Sequence, residues 1–422
     1  MRVLVITHGT RGDVQPFVAL AQALSVAGHE PVLVMPKGFS ALAEPHGVHV
    51  EAIHDAFGEF GKDPTVRAAY EINFRGVRGK RLAIEFMRRY RGSIARAFDD
   101  IAAVVDHCDA DLVVHLPNIP GHEVAERLGV PSVAGCLQPG WVPTDSFPNP
   151  LISLPLPRAF NRMSYVATRL WSRAQNGSTR KWRRTALGLS SRRRRADIFR
   201  RPDGSRAIAL HAFSQYLLPP STSYPSWAHT TGFWSLPAPP DWRPPARLVN
   251  FLASGEPPIY VGFGSVAGSD PARAAQVVTK AVKQAGVRAL LVKGWGGIRS
   301  AQETPDDILV LDDVPFEWLF SRVSLIVHHG GVGTIGAALA SGRPQVVCPF
   351  MYEQPFTARR MHAIGVAPPP ISQTELTADS LASAIREALT DRSSIYRAEE
   401  AGDLVRSERG TAVAVKILES LT

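Results

Sequence analysis

The chain has 422 residues, 45% of them hydrophobic and 20% charged, with 47 Lys and Arg against 38 Asp and Glu. That length suggests two or three domains with a sizeable core, and a formal charge of +9 over such a length is too modest for a protein that coats nucleic acid. Cys108, Cys136 and Cys348 lie far apart in or beside apolar runs, so they make neither a disulfide framework nor a metal spacing. Val3 to Ile6 is too short for a leader, and no stretch nears the roughly 18 apolar residues of a membrane span. The expectation is a protein of the reducing cytoplasm.

Arg2 to Thr7 reads as a short apolar strand, His8 to Asp13 as a turn, and Val14 to Ala27 as a helix stopped by Gly28. Apolar runs follow at Pro31 to Met35 and Val48 to Ile53. A basic helical stretch runs from about Val66 to Asp106, and further apolar runs occupy Asp111 to Leu116 and Pro131 to Cys136. Near-continuous apolar strands mark a sheet covered on both faces, and strands alternating with helices imply right-handed crossovers in a doubly wound parallel sheet. This first domain is expected over residues 1–218.

Ten prolines crowd Pro219 to Pro258, with little periodic pattern, so 219–258 reads as a linker. The alternation then restarts over 259–400. Its elements are Ile259 to Phe263, a helix from about Pro271 to Ala285, Ala289 to Val292, Ile308 to Asp312, Leu325 to His328, a helix after Gly331, and Gln345 to Pro349. The fold class expected is thus α/β, two Rossmann-like doubly wound parallel-sheet domains facing across a cleft. The end of the chain, Thr377 to Leu421, is helical by pattern, and 401–422 is expected to pack back on the first domain.

The chemistry concentrates where strands end, the place at which open α/β sheets bind ligands. His328-His329-Gly330-Gly331-Val332-Gly333-Thr334 follows a strand and opens a helix, so backbone amides and the helix dipole face any anion there. His329 and the Thr334 hydroxyl add donors, although a tight turn without a ligand fits the glycines too. Gly262-Phe263-Gly264-Ser265 also ends a strand, with Ser265 as a further donor. Glu353-Gln354 offers a carboxylate and an amide for gripping sugar hydroxyls, or simply an acidic helix start. In Thr10-Arg11-Gly12-Asp13-Val14-Gln15-Pro16, Asp13 suits a general base for an attacking hydroxyl, and equally an N-cap for the helix near Val14. Asp109-Ala110-Asp111 precedes a strand, where acids make turns more often than metal sites.

Taken with Val314-Pro315, Trp318-Leu319-Phe320, Gly342-Arg343-Pro344 and Glu353-Gln354-Pro355-Phe356, these motifs resemble the nucleotide-sugar glycosyltransferases that modify sterols, glycopeptides and macrolides. Order and spacing agree across almost the whole chain. The resemblance implies two Rossmann domains of the GT-B type, with the acceptor in the N-terminal half and the nucleotide sugar in the C-terminal half. It implies inverting transfer of a hexose from a UDP- or dTDP-linked donor, with no metal and no other cofactor. By position, Asp13 would be the base, Ser265, His329, Gly331, Gly333 and Thr334 would hold the diphosphate, and Val314 would border the nucleobase. Glu353 and Gln354 would hold the sugar. Two departures stand out: Glu353 occupies a place where similar proteins usually carry Asp, and Phe316 a place where a more polar residue is common.

Arg158 to Arg206 carries many arginines and only Asp197 and Asp203 as acids, with Leu156, Phe160, Met163, Ala167 and Leu170 at helical spacing beside Trp171. Such an amphipathic segment lines an acceptor site, touches a membrane surface, or packs as an ordinary core helix. A pocket for a hydrophobic small-molecule acceptor is expected around His8, Trp141, Phe147, Phe160 and Trp171. Nucleic acid is not an expected partner, since no reader motif accompanies the charge. A nucleotide-sugar epimerase and a non-catalytic nucleotide-sugar or lipid binder are the alternatives to a transferase.

Overall fold

The computed structural model describes residues 1–60, 63, 76–152, 156–190, 197–263, 271–292 and 305–421, which divide into two compact units. The first comprises Met1–Lys62, Ile84–Leu236 and Glu408–Thr422, the second Asp63–Ala83 and Pro237–Ser407.

The first unit is built on a parallel sheet of β1 (Arg2–Ile6), β2 (Glu30–Pro36), β3 (His49–Ile53), β4 (Leu112–His115), β5 (Ser132–Cys136), β6 (Ile208–His211) and β7 (Ala228–Thr230). Their order is β3-β2-β1-β4-β5-β6-β7. β1 and β4 sit in its middle, in register from Val3 opposite Leu112 to Ile6 opposite His115, and Val3 to Ile6 and Leu112 to Val114 are buried. Both faces of a central strand are covered in such a sheet, which is why these strands read as unbroken apolar runs. The helices Arg11–Val26, Gly76–Val105 (from Ile84 on), Gly121–Leu128 and Val166–Thr185 supply crossovers. Phe17, Leu20 and Leu24 of the first helix are fully buried, each such side chain contributing about 1.5–3 kcal/mol of transfer free energy.

The second unit holds β8 (Ile259–Gly262), β9 (Ala289–Val292), β10 (Ile308–Leu311), β11 (Leu325–His328) and β12 (Gln345–Val347), all parallel and ordered β10-β9-β8-β11-β12. In each sheet the first two strands to diverge, β1 and β4 or β8 and β11, lie side by side. Their crossovers leave in opposite directions and open a crevice at the carboxyl ends.

Three boundaries differ from the sequence expectation. Residues 219–258 hold the strand β7 and the helix Ala246–Ala253, and unit membership changes at Pro237. β6 is a further strand that the pattern did not mark. The helical end is three helices, Ala378–Thr390 and Arg392–Ser407 in the second unit and Gly410–Glu419 in the first, so residue 401 falls inside a helix of the second unit. Ala414, Val415 and Leu418 of the last helix belong to the core of the first unit, and His29 Nε2 meets Glu419 Oε1 at 3.0 Å.

Candidate active site

In the first unit, β1 runs into Thr7, His8 and Gly9 before the first helix begins at Arg11, three residues earlier than its apolar spacing suggests. Thr10 is the N-cap and Asp13 the third helical residue, in a reciprocal capping box. Asp13 Oδ2 accepts from the Thr10 amide (2.8 Å) and the Thr10 hydroxyl (2.9 Å), and the Thr7 hydroxyl donates to the Asp13 carbonyl (2.7 Å). Asp13 is therefore not the N-cap itself. Among the described residues no hydrogen bond reaches its second oxygen, Oδ1. The turn needs Gly9: its φ is +136°, and a Cβ there would stand 2.5 Å from Asp13 Oδ2. Burial raises the Asp13 pKa above the ordinary aspartate value, and the two Thr10 hydrogen bonds only partly oppose that shift.

His8 is buried, and its ring hydrogen-bonds the backbone of His54. Its Nε2 is enclosed with no partner among the described residues, so the ring donates through Nδ1 and keeps an unprotonated Nε2. Burial holds it neutral, with a pKa lowered to about 4. Phe57 meets the ring edge-on at 5.2 Å. Behind it, His54 Nε2 and Ser93 Oγ lie 2.7 Å apart, Ser93 donates to Glu59, and the His54 amide donates to Asp100 (2.8 Å). None of this support was legible in the sequence.

The other expected pocket residues divide. Phe147 is buried against Tyr165 at 6.4 Å, and Trp141 packs on the cluster of Cys136, Val142 and Phe199. Phe160 is instead 49% exposed, and the Trp171 side chain lies outside the described residues. Asp111 and Asp109 close a turn, accepting from the Arg2 amide at 2.7 Å and the Arg2 guanidinium at 3.3 Å.

In the second unit, β11 ends at His328 opposite Gly262 of β8. His328 is fully buried and bridges two elements: Nδ1 accepts from the Gly330 amide (3.1 Å), so Nε2 carries the proton toward Gln345 Oε1 on β12 (2.9 Å). Burial, reinforced by neighbouring His329, lowers its pKa to about 3 and keeps it neutral. Gly330 adopts φ +89°, where a Cβ would also stand 2.9 Å from Val347, and the Thr357 hydroxyl donates to its carbonyl (2.6 Å). The turn is thus pinned from three sides before the helix Val332–Ser341 starts, capped by Gly331.

At that start, His329 hydrogen-bonds the Gly262 backbone, and burial lowers its pKa to about 4. A Cβ on Gly331 would come within 2.5 Å of His329 Nε2, whereas one on Gly333 would meet nothing within 4 Å. Gly333 is exposed and Thr334 half-buried. The first amides of the helix, at Val332, Gly333 and Thr334, have no carbonyl of their own helix to bond. Among the described residues no side chain caps these amides, and the His329 ring lies beside them, so the helix start is amide-lined and carries the positive end of the helix dipole. Ser265 lies outside the described residues.

Val314 is buried in a cluster with Tyr260, Leu319 and Phe320, and Phe316 stacks on Phe320 at 4.5 Å. Glu353 is the N-cap of the helix Gln354–Ala363, preceded by Tyr352 at φ +54°. Gln354 turns its side-chain oxygen back onto the amides of Phe350 (2.8 Å) and Met351 (3.2 Å), leaving its Nε2 as the donor. Among the described residues no three His, Cys, Asp or Glu side chains gather as a metal site, and no helix is long and apolar enough to cross a membrane.

Residues 3–107 match the glycosyltransferase family 28 N-terminal domain, and residues 296–420 match the erythromycin biosynthesis protein CIII-like C-terminal domain. The chain is 32% identical over 434 residues to a sterol 3-beta-glucosyltransferase of Arabidopsis thaliana, covering 99% of this chain and 65% of that one. It is 30% identical over 437 residues to the sterol 3-beta-glucosyltransferase of Emericella nidulans, covering 99% of this chain and 30% of that one. The chain thus spans less than two thirds of the length of these relatives. In fold it is similar to the glycosyltransferase of kitacinnamycin (TM-score 0.70, 19% identity, 100% of this chain and 98% of that one). It is likewise similar to the glycosyltransferase VinC solved with dTDP (TM-score 0.65, 18% identity, 100% and 99%). Two parallel-sheet α/β domains of this kind define the GT-B class. The two family matches fall one in each half of the chain.

Proposed function

We propose that the protein transfers a hexose from a UDP- or dTDP-linked sugar to a hydroxyl of a small hydrophobic acceptor, a sterol or another natural product. The observation that carries this reading is the helix start at Val332 to Thr334, uncapped by any side chain among the described residues and lying beside His329 at the switch point of the second sheet. Backbone amides and the helix dipole there suit a diphosphate, whose charge grows as the glycosidic bond breaks. Fixed amides take that charge without reorganising, which favours transfer without a metal or any other cofactor. The relatives named for sterol glucosylation and the neighbour solved with dTDP point to the same donor and acceptor classes.

The step balances simply. The acceptor oxygen attacks the anomeric carbon from the face opposite the diphosphate, its proton passes to Asp13 Oδ1, and the nucleoside diphosphate leaves with the bonding electron pair. One such displacement inverts the anomeric carbon. Asp13 is suited to the base because Thr10 occupies only one of its oxygens and burial raises its proton affinity. Neutral His8 offers an acceptor, Nε2, for orienting the attacking hydroxyl. At the donor, His329, Gly331, Gly333, Thr334 and Ser265 hold the diphosphate, and Val314 borders the base. The Glu353 carboxylate and the Gln354 Nε2 grip the sugar. Cys108, Cys136 and Cys348 are free thiols, which suits a reducing cytoplasm.

The test is a mass-spectrometric screen of UDP- and dTDP-sugars against sterols, polyketides and aromatic alcohols, reading glycoside and released nucleoside diphosphate together. Acceptor-dependent release with a mass gain of one hexose is the expected result. Sugar isomerisation without an acceptor would identify an epimerase, and binding without turnover a non-catalytic binder.

A further inference from the structure

Helices on a protein surface ordinarily turn their apolar stripe inward. The segment from Arg158 to Leu170 in the first unit does the reverse. Its inward residues are Asn161, Ser164, Tyr165 and Thr168, all buried. Tyr165 packs on Phe147, and the other three are held by hydrogen bonds rather than by an oily seam. Asn149 donates through its backbone amide to Ser164 Oγ (2.7 Å) and through its side chain to Thr168 Oγ1 (2.5 Å), while Asn161 Nδ2 donates to the Asp145 carbonyl (2.9 Å). The apolar residues face out: Phe160 is 49% exposed, Met163 62%, Val166 45% and Leu170 56%. Around them, Arg158, Arg162 and Arg169 are exposed. Between Asp145 and Asp197 the sequence contains twelve Lys and Arg and no acid.

We propose that this face docks on an anionic lipid surface, the apolar side chains entering the interface and the arginines meeting headgroup phosphates. A hydrophobic stripe bordered by cations is the composition that lies in a membrane plane. Charge decides the occupant. A neutral apolar ligand gives no reason for cations without nearby acids, and a second copy of the same face would set arginine against arginine. Juxtaposed anionic lipids reward each one. Among the described residues the one acid paired with these arginines is Asp145, 3.6 Å from Arg162. This inference needs neither donor nor acceptor and stands apart from the transfer reading.

Flotation of the full chain with vesicles tests it, comparing phosphatidylcholine alone with phosphatidylcholine containing 30% phosphatidylglycerol. Binding at least about tenfold stronger to the anionic vesicles is expected, weakening about fivefold for each of Arg158→Ala and Arg169→Ala. Met163→Ser with Leu170→Ser should lower binding at least about tenfold, since both lie where apolar insertion is required. Their exposure means that the melting temperature should stay at the parent value, which separates lost docking from lost folding. Equal binding to both vesicles, no binding, or unchanged binding by the serine pair would overturn the proposal. So would a concentration-dependent dimer in sedimentation that the serine pair dissolves, since the face would then belong to another copy.

Discussion

His328 and Gln345 meet in a buried hydrogen bond at 2.9 Å, and that bond decides which nitrogen of the imidazole receives the Gly330 amide. With Nε2–H held by Gln345, Nδ1 stays an acceptor and the turn that opens the helix Val332–Ser341 is fixed from β12. Gln345→Met keeps the volume but leaves the His328 N–H without its acceptor, which costs about 1–3 kcal/mol. Urea unfolding should show that loss. Calorimetry should show weaker binding of UDP or dTDP, although residue 345 is a positioning residue assigned no contact with the nucleotide. Unaltered affinity alongside lowered stability would confine the bond to folding.

Asp13 has two duties that different substitutions separate. Asp13→Asn keeps an oxygen for Thr10 and removes the base, so kcat should fall by about 10²–10⁴ with little change in nucleotide affinity. Asp13→Ala removes the capping partner as well and should lower stability by about 0.5–2 kcal/mol. Turnover by Asp13→Asn at the parent rate would leave the residue with capping alone. The raised pKa also fixes a sign: the base works as carboxylate, so kcat/KM should rise with pH through a limb above the ordinary aspartate value of about 3.9.

Gly331 and Gly333 provide a paired test of where the anion sits. Gly331→Ala drives a methyl against His329 Nε2 and should disturb folding and binding together. Gly333→Ala meets no protein atom within 4 Å, so it should keep or slightly improve stability, by up to about 1 kcal/mol from helix propensity. Because its methyl fills the space before the helix, nucleoside diphosphate affinity should drop at least about tenfold, measured by calorimetry. Full affinity in Gly333→Ala would place the diphosphate elsewhere.

Acid should destabilise the protein well before its carboxylates titrate. His8 and His329 have pKa values lowered to about 4, and His211 and His328 to about 3, in each case chiefly by burial. Unfolded histidine titrates near 6.5, so the unfolded chain binds protons that the folded one refuses. Stability is complete above that value and falls as pH drops toward 4, by about 1.4 kcal/mol per pH unit for each such histidine. Chemical denaturation at pH 7 and pH 5 measures this. A flat profile would mean that none of these four rings is held neutral by burial in the folded protein.

The strands that cross a covered sheet were legible because burial on both faces leaves only apolar residues, as at Val3 to Ile6 and Leu325 to Val327. Ala289–Val292 and the helix Pro271–Ala285 have the bounds that spacing suggests. β7 was not legible: Ala228-His229-Thr230 is three half-buried residues in a proline-rich stretch, with no alternation to read. The helix Ala246–Ala253 carried a usable sign, Pro245 immediately before its first residue. At the site, Thr10 and Asp13 stand at capping-box spacing, which places the helix start earlier than the apolar pattern does. The shared duty of His328, Gln345 and Thr357 was hidden, because it joins strands and helices whose neighbourhood only the tertiary fold creates. The inverted helix was hidden for the same reason. Ser164 and Thr168 look like a solvent face until Asn149 and Gly140 are brought against them.

The return of Gly410–Glu419 to the first unit makes that unit discontinuous in the chain. A fragment ending at Leu236 would lack Ala414, Val415 and Leu418, leaving bare the part of the core they share with the helix that bears Asp13. Such a fragment should stick to itself unless residues 408–422 are supplied as a separate peptide or spliced ahead of Met1. Deletions at the far C-terminus would then injure the opposite end of the molecule's sequence, and a tag fused there would report on the folding of the amino-terminal half.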